Sequence, residues 1–144
     1  MVSLGWFWLS AAPAATGPTP DSTWDGNDPK AAGCADDAVS LDAEPVRLPG
    51  DVQIGTANLR YSPRCAAAWA KFEPLPQPSS LGQVVVVIEA VRPADGIRTV
   101  LHYPAFEQVY GDLLLTRRGC VRASATVNLP DGRTATGVTD CLSP

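Results

Sequence analysis

The sequence predicts a mainly β fold: a small antiparallel sheet or barrel-like domain with one short helix and two disulfides. Three observations carry this prediction. Apolar and polar residues alternate along several segments, most clearly over residues 121–129. The 14 prolines and 12 glycines among 144 residues favour short elements joined by turns. The four cysteines are widely spaced and none forms a CxxC pair, which suits disulfides better than a zinc site.

The first half of the chain begins its strands at residue 39. Residues 39–48 and 51–61 are the first two predicted strands, and a Pro-Gly break at 49–50 separates them. In the second strand Val52 and Ile54 alternate with Gln53 and Gly55, which is the period of a half-buried strand.

The stretch "SPRCAAAWAKF" predicts the one short helix, over residues 63–72. Proline is accepted in the first turn of a helix, and the alanines after it are strong helix formers. Helical spacing would place Cys65 and Trp69 on one face, one turn apart. We therefore interpret Trp69 as a buried ring that packs on a disulfide.

The proline-rich segment 73–82 is the clearest internal break in the chain. We expect residues 23–144 to form a single disulfide-bonded domain with candidate halves at 23–73 and 83–144. The continuous β-branched run at 83–91 predicts a strand covered on both faces.

Two further strands and a hairpin follow. Asp95-Gly96 predicts the turn of a hairpin that returns through residues 98–103, and residues 109–116 suggest another strand. The alternating run 121–129 meets a turn at Pro130–Gly132 and a second alternating strand.

The last hairpin bears on the cysteines, for which three pairings are open. Folding back at the turn brings Cys120 near Cys141, so the hairpin favours that pair and leaves Cys34 with Cys65. With loops of 21 and 31 residues, each bond would contribute about 3–4 kcal/mol in the loop-entropy model. Two disulfides require an oxidising compartment.

Residues 1–22 look like a signal segment and linker. An uncharged apolar stretch, "LGWFWL", precedes the small residues "SAAPAA", and cleavage is expected near Ala14 or Ala15. The positive residue that usually comes first is missing, so either the true start lies upstream or this end is a poor signal. The apolar run is too short to span a bilayer, which takes about 20 residues.

The charge balance argues against nucleic acid as a partner. The chain has 11 basic and 15 acidic residues and a net charge of −4, whereas nucleic-acid binders present a basic face. Its densest basic cluster is Arg117, Arg118 and Arg122, which we interpret as a solvated strand edge rather than an anion site.

Two motifs within residues 24–72, "WDGNDPKAAGCADDAVSL" and "IGTANLRYSPRCAAAWAKF", resemble the domain of unknown function 2690 family of exported proteins from Gram-positive, mainly actinobacterial, bacteria. The matching positions are Asp25, Gly26, Asp28, Pro29, Gly33, Cys34, Asp37, Ala38, Val39, Leu59, Arg60, Tyr61, Ser62, Cys65, Trp69, Ala70 and Lys71. The resemblance implies a small extracytoplasmic module in which Cys34 pairs with Cys65. It also implies occurrence behind a signal peptide, or outside a membrane anchor with a cytoplasmic helix-turn-helix domain. It brings no catalytic residues, and residues 83–144 are not matched with the same assurance.

Four acidic side chains near the first cysteine are candidate metal ligands: Asp25, Asp28, Asp36 and Asp37. Carboxylate oxygens suit Ca²⁺, but the spacing fails the EF-hand pattern. The same four residues are candidates for a carboxylate-dependent hydrolase, although nothing in the spacing singles out an acid and a base. The alternative, which we favour, is that they cap turns in an irregular loop.

An aromatic and basic group is the candidate ligand-binding site: Trp24, Tyr61, Trp69 and Arg60, with Phe72, Arg64 and Lys71 nearby. Ring faces stack on sugars, and cations meet anionic groups. The lone histidine, His102, has no nucleophile motif beside it, so we interpret it as a structural residue at a strand end.

Taken together, these features predict a secreted, non-catalytic structural or binding module of the cell envelope or extracellular space, with no cofactor and no membrane span in its mature form. Its partner would be an envelope glycan or a secreted protein. Three alternatives stay open: a glycan or cell-wall polymer binding domain, a small carboxylate-dependent hydrolase, and a subunit of a secreted protein assembly.

Overall fold

A computed structural model describes residues 24–144, so the signal-like segment 1–22 lies outside the described residues. Nine strands follow a single 3₁₀ turn at Ala35–Asp37. In chain order they are β1 (Val39–Leu48), β2 (Val52–Ser62), β3 (Ala67–Pro74), β4 (Val85–Arg92), β5 (Ile97–Tyr103), β6 (Val109–Tyr110), β7 (Leu114–Leu115), β8 (Arg122–Asn128) and β9 (Thr134–Val138).

All nine strands belong to one antiparallel, nearly closed, barrel-like sheet. Its order is β5-β4-β8-β9-β1-β2-β3-β6, and β7 also pairs with β3. We call β1, β2, β3 and β6 the front sheet and β5, β4, β8 and β9 the rear sheet. A single pair, Arg47 with Thr136, joins them through β1 and β9. The backbones are very close here, since a Cβ on Gly137 would lie 2.5 Å from the Pro45 carbonyl oxygen.

One core fills the space between the inner faces of the two sheets. The front sheet contributes Leu59 and Phe72 to this core, and the rear sheet contributes Val86, Ile88 and Val127, all buried. Apolar burial on this scale is the main favourable term in folding.

The sheet stays open at a seam between β5 and the segment that carries β6 and β7. Side chains bridge this seam where strand pairing stops. The Thr99 hydroxyl donates to the Asp112 carbonyl at 3.2 Å, and the Tyr103 hydroxyl donates to the Tyr110 carbonyl at 2.7 Å.

The predicted fold class and turns are confirmed. Strands β1 and β2 occupy the predicted segments, with the turn at Gly50 between them, and the hairpin turn places Gly132 at φ 91° as expected. Residues 109–116 form the two short strands β6 and β7 rather than one, because the backbone leaves the ladder between Tyr110 and Leu114.

The predicted helix over 63–72 is wrong. A turn containing Ala66 at φ 50° leads directly into β3, and the described chain has only the 3₁₀ turn at Ala35–Asp37 as helix. Tertiary burial overrides the helix propensity of the alanines, since the stretch from Ala67 to Ala70 is buried on both faces. Cys65, in the turn, and Trp69, on β3, still belong to one buried cluster.

The expectation that 83–91 is covered on both faces is also wrong. Burial alternates along β4: Val86, Ile88 and Ala90 face the core, whereas Val85 is exposed and Val87 is half-buried. No layer of the described chain covers the outer face of the rear sheet, so the valines there meet solvent.

Two disulfides close the structure, Cys34–Cys65 and Cys120–Cys141, and the described residues hold no free cysteine. The first is fully buried and the second is half-buried. Within residues 24–144 we find no helix whose length and hydropathy would let it cross a bilayer.

Candidate functional site

Residues 24–38, which we call the covering loop, lie over the outer face of the front sheet. The Cys34–Cys65 disulfide attaches the loop at the turn before β3. The disulfide belongs to a second buried cluster, separate from the main core. The members of this cluster are Cys34, Cys65, Ala67, Trp69, Leu113 and Leu115. Strand β3 is therefore sandwiched between the core and the loop, and its small alanines let the loop come close.

The candidate aromatic residues do not form one surface. Trp69 is 3% exposed and packs against the disulfide cluster, as predicted, although from a strand and not from a helix. Trp24 is half-buried against that same cluster. Tyr61 packs instead on the main core from the inner face of the sheet, as Phe72 does. Within the candidate ligand-binding set, Arg60 and Trp69 line a common pocket.

The first candidate carboxylate, Asp25, belongs to a buried ion network around Arg92. The Arg92 side chain is 0% exposed; Nη1 and Nη2 donate to the two oxygens of Asp25 at 3.0 and 2.7 Å. Nη2 and Nε also donate to Asp95, at 2.8 and 3.0 Å, and Nη1 donates to the Leu115 carbonyl at 2.7 Å. Asp25, and then Asp95, raise the pKa of Arg92 above its ordinary value, so it stays a cation.

This network fixes the start of the covering loop. Asp25 Oδ1 also accepts from the Leu115 backbone N–H at 2.8 Å, and Gly26 N–H donates to the Leu113 carbonyl at 2.8 Å. Buried ion pairs hold only when their hydrogen bonds are satisfied, as they are here.

Asp37 fixes the other end of the loop. Its Oδ1 accepts from the Ser62 hydroxyl at 2.5 Å and its Oδ2 from the Arg64 backbone N–H at 2.9 Å. These bonds lower the pKa of Asp37 below its ordinary value, the Ser62 bond most. Asp36, next to it, is exposed.

The four candidate aspartates lie near the two ends of the covering loop, Asp25 and Asp28 at its start and Asp36 and Asp37 at its end. Among residues 24–144 there is no group of three or more His, Cys, Asp or Glu side chains that could hold a metal ion. Two of the four, Asp25 and Asp37, use both of their oxygens in bonds to the protein. The geometry gives them the role of loop anchors.

Two basic side chains of the second family motif, Arg60 and Arg64, also support the covering loop. Arg60 donates to the Ala38 carbonyl and to the Ser40 hydroxyl, both at 3.1 Å. The Arg64 guanidinium donates to the Gly33 carbonyl. Gly33 is at φ 78°, a conformation that favours glycine.

A pocket of about 150 Å³ opens where the covering loop meets β2, β3 and β6, and we call it the cationic pocket. Its lining is Pro29, Lys30, Ala35, Ala38, Arg60, Trp69, Lys71, Gln108 and Tyr110. Three of these side chains are cations. Lys71 is partly compensated by Glu73, at 3.3 Å, whereas the Lys30 ammonium makes no hydrogen bond or ion pair within residues 24–144.

A second pocket, of about 360 Å³, adjoins the first at the open seam, and we call it the acidic pocket. Its lining is Asp28, Leu101, Tyr103, Gln108, Val109, Tyr110 and Asp112. Burial raises the pKa of Asp112 above its ordinary value, and the charge of Asp28 raises it further. Burial likewise raises the pKa of Tyr110, and Asp28 adds to that effect.

Tyr110 and Gln108 belong to both pockets. Tyr110 pairs with Lys71 across β6 and β3, and its hydroxyl donates to Asp28 Oδ1 at 3.3 Å. One aromatic side chain therefore separates a set of cations from a pair of carboxylates.

Sequence reasoning missed several residues of this site: Arg92, Lys30, Gln108, Tyr110 and Asp112. Arg92 precedes a Pro-Ala-Asp-Gly turn, a position at which an arginine is expected to be exposed. In the structure its side chain is buried and pairs with Asp25, which is distant in sequence. Tyr110 and Asp112 flank Gly111 in a segment of weak strand pattern. The only sequence signal for this part of the site was the glycine that interrupts the strand pattern between Tyr110 and Asp112.

The other candidate polar residues lie away from both pockets. His102 is exposed on the outer face of β5, beside Val87 of β4. Arg117 and Arg118 are exposed after β7, and Arg122 is exposed at the first residue of β8.

Comparison with known proteins identifies one family for this chain. The model of the family described as "Protein of unknown function (DUF2690)" matches residues 22–109. This span includes the covering loop and strands β1 to β5, and it ends one residue before Tyr110. No curated protein and no solved structure matches the chain.

Proposed function

The chain belongs to the DUF2690 family, and on that premise we propose that it is an exported, non-catalytic binding module of the cell envelope or extracellular space. Two disulfides support export, because such bonds persist in oxidising compartments. The uncharged apolar segment near the N-terminus supports it independently.

The observation that carries a binding role is the cationic pocket. Three cations line it, on β2, β3 and the disulfide-held loop, and the Lys30 ammonium makes no hydrogen bond or ion pair among the described residues. Charged hydrogen bonds to phosphate or carboxylate oxygens are among the stronger polar contacts. An envelope polymer that carries anionic groups is the ligand class that suits this pocket.

The aromatic stacking version of the glycan hypothesis has less support. Trp69 lines the cationic pocket but is only 3% exposed, so its ring has little surface on which a sugar could stack. Tyr110, which was not among the candidates, is the half-buried ring at this site. We therefore propose that charge recognition contributes more to binding than stacking does.

A carboxylate-dependent hydrolase is the alternative that Asp28 and Asp112 represent, because they share one pocket. The pKa of Asp112 is raised, as that of an acid catalyst would be. Incubating the protein with purified cell wall and measuring released reducing ends tests this alternative. We expect no release, and a release abolished by Asp112→Asn would contradict our proposal.

A subunit of a secreted assembly is the other alternative. It is favoured by apolar side chains on the outer face of the rear sheet, where Val100 and Val138 are exposed. Val100→Ser would weaken such an assembly and would leave a wall-binding module unchanged.

Retention of the oxidised protein on purified Gram-positive cell wall tests the proposal. We expect Lys30→Gln/Lys71→Gln to lose retention. The matched control is Arg98→Gln/Arg133→Gln, which removes the same charge from two exposed arginines, one on β5 and one in the turn before β9. Equal retention of both double variants, or none by the unmodified protein, would overturn the proposal.

A further inference from the structure

The cationic and acidic pockets are neighbours rather than separate depressions. They share Gln108 and Tyr110, and the phenol of Tyr110 reaches Asp28 on one side while its strand partner Lys71 lies on the other. A ligand on Tyr110 would therefore contact groups of both signs at once.

The acidic pocket has an unbalanced charge. Asp28 and Asp112 line the same pocket, and after burial the charge of Asp28 is the next cause that raises the pKa of Asp112 and of Tyr110. Asp28 Oδ1 accepts two hydrogen bonds, one from the Lys30 backbone N–H at 2.9 Å and one from the Tyr110 hydroxyl at 3.3 Å. No cationic side chain lines this pocket among the described residues, so a bound cation would relieve the repulsion.

The cationic pocket is unbalanced in the opposite sense. Arg60, Lys71 and Lys30 face it, and Glu73, the partner of Lys71, is not part of its lining. An anionic group is needed for balance here. Gln108, whose amide has no hydrogen-bond partner within residues 24–144, lines both pockets.

We propose that the site binds a zwitterionic group, with a phosphate or carboxylate in the cationic pocket and an ammonium in the acidic pocket, on either side of Tyr110. This inference rests on the proposed binding function and names its ligand chemistry. The ring of Tyr110 adds a cation–π contact to the ammonium.

A zwitterion explains both pockets, and single charges explain one each. An anion alone would leave Asp28 and Asp112 without a cationic partner. A cation alone would leave the Lys30 ammonium without an anionic partner and Lys71 with Glu73 only. The same phosphate–ammonium chemistry occurs on envelope polymers and on lipid headgroups, and the experiment must separate these two sources.

The test is a calorimetric titration of the oxidised protein with three small probes: O-phosphoethanolamine, ethyl phosphate and ethylammonium. Because two charge contacts replace one, we expect O-phosphoethanolamine to bind about tenfold more tightly than either single-charge probe. Aminopropyl phosphate extends the series by one methylene and reports the span between the pockets.

Two variants divide the site. Asp112→Asn should reduce O-phosphoethanolamine affinity and leave ethyl phosphate affinity unchanged, whereas Lys71→Gln should reduce both. Asp36→Asn, in the exposed part of the covering loop, is the matched control and should change neither. Unchanged amide NMR spectra away from the site show that each variant is folded.

The outcomes separate this inference from the proposed function. Equal affinity for ethyl phosphate and O-phosphoethanolamine overturns the zwitterion, and so does Ca²⁺ binding at Asp28 and Asp112 in place of an ammonium. Retention on cell wall with no probe bound overturns only this inference. Binding to phosphatidylethanolamine vesicles with no retention on wall keeps the zwitterion and overturns the wall polymer as its source. If neither wall, vesicle nor probe binds, both proposals fall.

Discussion

The front and rear sheets both pack one face on the core, but they differ in what covers the other face. Strand β3 of the front sheet is buried on both faces, by the core and by the covering loop. Strand β4 of the rear sheet buries alternate residues fully, whereas the residues between them are exposed or half-buried. The disulfides follow the same division, since Cys34–Cys65 is fully buried and Cys120–Cys141 is half-buried.

This difference between the two sheets indicates the structural role of the two family motifs. Their residues build the covering loop and the strand face beneath it: Asp25 and Asp37 anchor its ends, and Cys34 joins it to Cys65. The rear sheet has no such layer, and its outer face carries ordinary alternation. The candidate site lies at the edge of the covered region, where the loop meets the open seam.

The largest effect in this comparison is expected at Arg92. Arg92→Ala would leave the mostly buried Asp25 carboxylate and the Leu115 carbonyl without their donor, and would also remove the partner of the more exposed Asp95. Removing one partner of a buried ion pair costs about 3–5 kcal/mol, which chemical denaturation would measure. Arg98→Ala, an exposed arginine of β5 paired with Glu89, is the control and should cost well under about 1 kcal/mol. Similar losses in the two variants would remove the claim that the network anchors the loop.

The two disulfides provide the next test. Loop entropy gives each about 3–4 kcal/mol, with little difference between loops of 31 and 21 residues. Burial predicts a clear difference in access. Under limiting reductant, Cys120–Cys141 should open first, as read by alkylation and peptide mass mapping. Earlier loss of Cys34–Cys65 would show that the covering loop does not shield it.

A pair of glycines compares the loop with the rear hairpin. Gly33 and Gly132 both have positive φ, so alanine at either should cost about 1–2 kcal/mol. A Cβ at Gly33 would also lie 3.3 Å from the Arg64 guanidinium, whereas a Cβ at Gly132 meets nothing within 4 Å. Thermal unfolding should therefore show the larger loss for Gly33→Ala. The reverse order would contradict the close contact of loop and turn.

The smallest expected effect is on acid stability. The pKa of Asp37 in the folded protein is lowered, so its bonds stabilise the fold above the ordinary pKa of 3.8 and are lost as the pH falls through the folded value. Asp37→Asn should flatten the decline in stability on that acid side. Asp131, whose pKa is lowered by contacts with Arg133 two residues away, is the comparison in the rear hairpin. We expect Asp131→Asn to change the acid-side slope less, since local contacts persist more in the unfolded chain.

The sequence was most informative where local patterns decide the structure. The alternating strands, the Pro-Gly and Asp-Gly turns and the hairpin that brings Cys120 to Cys141 all follow from short-range periodicity and turn chemistry. The two errors, at 63–72 and at 83–91, have one cause. A layer far away in sequence covers the alanines of β3, and no such layer covers the valines of β4.

The candidate site depended still more on distant contacts. Asp25 was visible as a motif residue, but its partner Arg92 is 67 positions away and carries no local mark of burial. Asp28 shares the acidic pocket with Tyr110 and Asp112, which the fold brings from beyond β5. Periodicity predicts where strands lie in the sequence, but it does not predict which strand ends and loops the fold brings together to form the site.

The most direct test of the account is amide NMR mapping of the oxidised protein with soluble fragments of purified cell wall. We predict that the perturbed resonances cluster at Lys30, Lys71, Tyr110 and Asp112, on the edge of the covering loop. Perturbations centred on Val100 and Val138 of the rear sheet, or none at all, would contradict the claim that the disulfide-held loop builds the binding site.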